Sequence, residues 1–77
     1  MCGHGTPSLQ TRLAKAIRVR REQLGISQED FAHSIEVHRT YYGAVERGKQ
    51  NLTLKSIEKI AAGLGVDVSA LFVAADK

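Results

Sequence analysis

From Ser8 onward the apolar residues recur at three- and four-residue steps. Leu9, Leu13, Ala16, Ile17 and Leu24 follow this spacing, as an amphipathic helix requires. Gly25 is placed to end that helix, because glycine enters the left-handed conformation without penalty. Ser27 then offers an N-cap with Asp30 three residues on, close to a capping box, so a second helix starts at about Gln28 and buries Phe31, Ala32 and Ile35. A break at Ile35-Glu36-Val37 leads into a third periodic stretch, in which Val37, Tyr42 and Val45 share one side and Gly48 ends the run. After the polar loop Lys49-Gln50-Asn51, residues Leu54, Ile57, Ile60, Ala61 and Leu64 define a fourth helix, closed by Gly63 with Gly65. Ser69 to Ala75, with Val68, Leu71 and Phe72, form a short fifth. No stretch alternates with period two for long, so the pattern predicts an all-α fold without a sheet.

With 77 residues, 43% of them hydrophobic, the chain holds one small domain. A chain of this size buries only about 60% of its unfolded surface, so its size leaves room for an extra source of burial, such as a dimer partner. The seven residues from Met1 to Pro7 contain two glycines and the only proline and lack apolar periodicity, which predicts a mobile arm ahead of a domain over 8–77. The single cysteine, Cys2, cannot form an internal disulfide, and no long apolar run suggests a signal peptide or a membrane span, so a cytoplasmic location is expected. Cys2 and His4 fall short of the four ligands of a usual metal site, and no metal or cofactor is expected.

The formal net charge of +3 permits a polyanionic partner without establishing one, so the position of the charges matters more. Two short helices joined by a tight turn, Gln28–Ile35 and His38–Glu46, cannot bury much by themselves and must lie across the other three. That leaves one face of the second exposed, with His38, Arg39, Thr40, Gly43, Ala44 and Arg47 on it. These positions are small or hydrogen-bonding and none is acidic. A helix entering the DNA major groove needs such a face, because bulky or negative residues clash with base edges or repel phosphates.

Several runs together, Ile17-Arg18-Val19-Arg20-Arg21, Leu24-Gly25-Ile26-Ser27-Gln28-Glu29-Asp30-Phe31-Ala32, Val45-Glu46-Arg47-Gly48 and Leu64-Gly65-Val66, resemble the Cro/phage-repressor-like (XRE-type) helix-turn-helix regulators. The resemblance spans roughly Leu13 to Phe72. Within that family, the run from His38 to Gly48 followed by Asn51-Leu52-Thr53-Leu54 looks most like the small controller proteins of restriction–modification systems. The resemblance implies a five-helix, lambda-repressor-like DNA-binding domain and a dimeric transcription regulator acting on a (pseudo)palindromic operator in double-stranded DNA. If transcription is raised, RNA polymerase is a further partner. Arg20 departs from the pattern, standing where many relatives carry a leucine, so the packing of the first helix differs there.

Carried over residue by residue, the resemblance places Arg39 and Thr40 at base-contacting positions, with Gly43 and Ala44 on the same base-facing side. Arginine suits guanine O6 and N7, and alanine the thymine methyl. Gln28, Tyr41, Arg47, Lys49, Gln50, Asn51, Thr53 and Ser56 match positions that touch the DNA backbone and fix register. Arg21 and Glu46 match an internal ion pair that ties the first helix to the end of the third.

Other readings of the same residues stay open at this level. Arg18 and Arg20 suit either a solvated helix face or phosphate contact. Tyr41 is expected at the surface, and His33 and His38 are expected as surface or capping residues. The rival function is a protein-binding module, an antitoxin or adaptor on the same scaffold, which an exposed apolar groove would favour. No phosphate loop or paired acid and base marks an enzyme. Val66, Val68, Leu71, Phe72 and Val73 exceed what a terminal helix of so small a core can bury, which predicts a homodimer interface through the end of the fourth helix and the fifth.

Overall fold

The computed structural model describes residues 8–76 and contains five helices: α1 (Leu9–Gln23), α2 (Gln28–Ser34), α3 (Arg39–Glu46), α4 (Leu54–Leu64) and α5 (Val68–Ala75). No strand occurs among the described residues, so the all-α fold read from the pattern is what forms. The expected N-terminal arm, with Cys2 and His4, lies outside them. No helix of the described residues is long and apolar enough to cross a membrane.

The helix starts follow local chemistry. The side chains of Ser8, Ser27 and Thr53 each accept the backbone N–H three residues on, and His38 accepts that of Thr40 through Nδ1. Each satisfies an amide that the first turn of a helix leaves without a partner. The third helix therefore begins at Arg39, with His38 as its cap, and α5 begins at Val68, one residue before the expected start.

Leu13 and Ile17 of α1, Phe31 of α2, Tyr42 and Val45 of α3, Ile57, Ile60 and Leu64 of α4, and Leu71 and Ala75 of α5 meet in one core. Phe31 and Tyr42, both fully buried, pack with ring centroids 5.0 Å apart and tilted by 54°. That contact fixes α3 across α2.

Three apolar residues expected on buried faces are exposed instead: Leu9, Leu24 and Leu54, the last by 75%. Each sits at a helix end. Periodicity assigns a residue to a helix face, but it does not say how far along the helix a neighbour extends.

Gly63 does not close α4, which runs through it to Leu64 and is capped by Gly65 at φ 74°. A Cβ at Gly63 would stand 2.5 Å from Ile35 Cγ2 and 3.0 Å from Phe31 Cε1, so the glycine is required for α4 to approach the end of α2. The α2–α3 turn contains a non-glycine residue in the left-handed region, Glu36 at φ 61°. Arg20 takes a structural position: its Nε donates to the Leu64 carbonyl at 3.3 Å, joining α1 to the end of α4.

Candidate nucleic-acid interface

The orientation of α3 depends on Arg21, which is only 8% exposed. Its Nε and Nη2 donate to the two oxygens of Glu46 at 2.6 and 3.0 Å, and Nη1 donates to the Ile26 carbonyl at 2.7 Å. One guanidinium thus ties α1, the α1–α2 turn and the end of α3. Gln28 adds α2 to this group, its Nε2 donating to Glu46 Oε1 at 2.9 Å. Burial alone would raise the Glu46 carboxyl, but donation from Arg21 and Gln28, with the Tyr42 phenol close by, outweighs it and holds the group below the usual carboxylate range. The Glu46 hydrogen bond in turn raises the Arg21 guanidinium above its ordinary value. Burial, and next the neighbouring Glu46, raise the Tyr42 phenol far above its own, although its buried hydroxyl has no partner of hydrogen-bond geometry among the described residues.

With its one acid turned inward, α3 presents a face that is cationic and polar. Arg39, Thr40 and Arg47 are exposed, and Ala44 is half-buried beside them. The expectation that Gly43 is an exposed, base-facing position is corrected: it is buried, and a Cβ there would stand 3.3 Å from Arg47 Nη1 and 3.7 Å from Gln28 Oε1. Gly43 makes room for those two side chains to lie over the helix backbone. His38, also placed on that face by the sequence, is exposed but uses its Nδ1 to cap the helix.

The residues matched to DNA-backbone positions lie on different sides of α3, with Gln28 against Glu46 and Tyr41 against Ser56 of α4. Lys49, Asn51 and Thr53 are exposed, while Gln28, Tyr41, Gln50 and Ser56 are half-buried. Three of them bond to one another: Tyr41 Oη lies 3.3 Å from Ser56 Oγ, which lies 3.1 Å from Thr53 Oγ1. This hydroxyl chain joins α3 to the first turn of α4. Sequence reasoning missed both the Gln28–Glu46 bond and the role of Gln10, whose Nε2 donates to the carbonyls of Gly48 and Gln50 at 2.8 Å each. No local signal reveals Gln10, since its partners lie 38 and 40 residues away.

The tail divides between the core and the surface. Leu71 is 2% exposed and belongs wholly to the core, which corrects its place at a dimer interface. Val66, Val68 and Phe72 are half-buried, and Val73 is 58% exposed. Leu71 and Ala75 are one helical turn apart and face inward together, leaving Val73 on the outer side.

A helix-turn-helix family model matches residues 17–71. The chain belongs to this family. Control protein C.MunI of a Mycoplasma species is 48% identical to it over 58 residues, covering 75% of this chain and 78% of that protein. Among solved helix-turn-helix structures, the restriction–modification controller protein C.AhdI of Aeromonas hydrophila superimposes with a TM-score of 0.77 at 34% identity, covering 80% of this chain and 94% of that one. The nucleoprotein complex of C.Esp1396I gives 0.81 at 34% identity, with 91% of each chain covered.

Proposed function

We propose that this chain is a sequence-specific DNA-binding transcription regulator of the controller type, which reads a two-fold operator with α3 as a homodimer. One observation carries the reading. The outer face of α3 bears Arg39, Thr40, Ala44 and Arg47, while its only carboxylate, Glu46, is turned inward and held by Arg21 and Gln28. Such a face meets base edges and phosphates without electrostatic conflict. Arg39 and Thr40 reach bases from the first turn of α3, and Ala44 offers a methyl contact. Arg47, Lys49 and Asn51 lie along the edge where the phosphate strand passes.

A single reading helix spans only a few base pairs, whereas a two-fold dimer sets two of them about 34 Å apart on one face of the duplex. The exposed Val73 and the half-buried Val66, Val68 and Phe72 supply the apolar surface for that dimer. Selection of bound sequences from a random duplex pool by the purified protein tests the reading. A recovered consensus with two inverted half-sites is the expected result, and a pool that stays random after repeated rounds refutes it.

A further inference from the structure

The loop between α3 and α4 is held from outside the helix-turn-helix unit. Gln10 lies in the first turns of α1, ahead of the residues 17–71 that match the family model. Its half-buried amide donates to the carbonyls of Gly48 and Gln50, so the two clamped carbonyls bracket Lys49. The Lys49 N–H donates to the Ala44 carbonyl at 2.9 Å, which fixes the loop from its other side. Gly48 has φ 71°, and a Cβ there would lie 3.5 Å from Thr11 Cα, so α1 and the loop are in close approach.

These bonds set the direction of two donors. In a trans peptide the C=O and N–H point opposite ways, and no peptide bond in the described chain is cis. Drawing the Gln50 carbonyl toward α1 therefore turns the Asn51 N–H away from it. That N–H has no hydrogen-bond partner among the described residues. The Lys49 side chain is exposed and springs from a backbone held at the carbonyls of Gly48 and Gln50 and at its own N–H.

We propose that Gln10 is a positioning residue for DNA-backbone recognition, fixing the Lys49 ammonium and the Asn51 N–H toward the phosphate strand without touching DNA. This rests on the DNA-binding reading above. It assigns part of the DNA affinity to a first-helix glutamine whose contacts are all internal.

The test is a fluorescence-anisotropy titration of a labelled random-sequence duplex and of the duplex recovered by selection, using wild type, Gln10→Ala and Gln10→Glu. The second variant keeps the side-chain size but sets a carboxylate against two carbonyls. Both variants should keep the helical circular-dichroism signal and weaken binding to both duplexes by the same factor, about tenfold for one or two lost charge-assisted bonds. The slope of log affinity against log salt should shrink by about one unit as Lys49 loses its place. Gln10→Ala should have much less effect in a Lys49→Ala background. In the wild type, which needs no substitution, the Asn51 amide resonance should shift on addition of either duplex.

A lower melting temperature with an unchanged salt slope and no coupling to Lys49 would make Gln10 merely structural and overturn the inference. So would undiminished affinity in a folded variant, a loss confined to the selected duplex, or an Asn51 amide that does not respond. A wild type that binds neither duplex fails the DNA-binding reading itself, and the inference falls with it.

Discussion

The Arg21 guanidinium and the Glu46 carboxylate meet through two parallel hydrogen bonds of 2.6 and 3.0 Å, joining the last turn of the chain's first helix to the last residue of its third. The Glu46 side chain is 2% exposed, so removing Arg21 leaves a buried carboxylate without its main partner. Arg21→Ala should destabilise the fold by about 3–5 kcal/mol, whereas Arg21→Met with Glu46→Leu should have much less effect. Because Glu46 titrates below the ordinary carboxylate range when folded, it contributes stability that is present at neutral pH. That contribution is lost as acid passes through the ordinary carboxylate range and then the lower folded value. Denaturant melts from neutral to acid pH should show this fall in the wild type and a weaker one in the double variant. Equal acid dependence in both would remove the pair from the account.

Gly63→Ala places a better helix former inside α4 and should nonetheless destabilise it. The new methyl would stand 2.5 Å from Ile35 Cγ2 and 3.0 Å from Phe31 Cε1. Overpacking of that kind costs about 1–3 kcal/mol, more than the roughly 1 kcal/mol by which alanine surpasses glycine in a helix. Thermal melting decides the sign, and a raised midpoint would show that α4 can shift away from α2.

Arg39→Ala should reduce sequence preference while leaving general DNA binding. A bidentate arginine–guanine contact is worth about 1–3 kcal/mol of discrimination. Titrations against selected and scrambled duplexes give the ratio of affinities. A ratio equal to that of the wild type would place base reading elsewhere on α3.

Val73→Glu should convert a dimer to a monomer without unfolding it, since Val73 is 58% exposed. Sedimentation equilibrium of wild type and variant measures this directly, and the variant should also lose two-site cooperativity on the operator. A wild type that sediments as a monomer and binds as a single site would exclude the dimer.

Taken alone, the sequence determined the five helices, the Ser27 cap, the Gly25 turn and most of the composition of the α3 face. These depend on interactions within a few residues: Ser27 accepts the Asp30 N–H, Gly25 turns the chain at φ 72°, and Tyr42 and Val45 share a helix face by spacing alone. The resemblance added Arg21 with Glu46, a pair 25 residues apart that periodicity cannot supply. Only the tertiary structure decided which positions are truly free. It buried Gly43 beneath Arg47 and Gln28, drew Leu71 into the core, left Leu54 in solvent, and joined Gln10 to a loop 38 and 40 residues away. The physical reason is that helix periodicity fixes a direction around one axis, while burial and long-range hydrogen bonding depend on how far each neighbouring helix reaches along it.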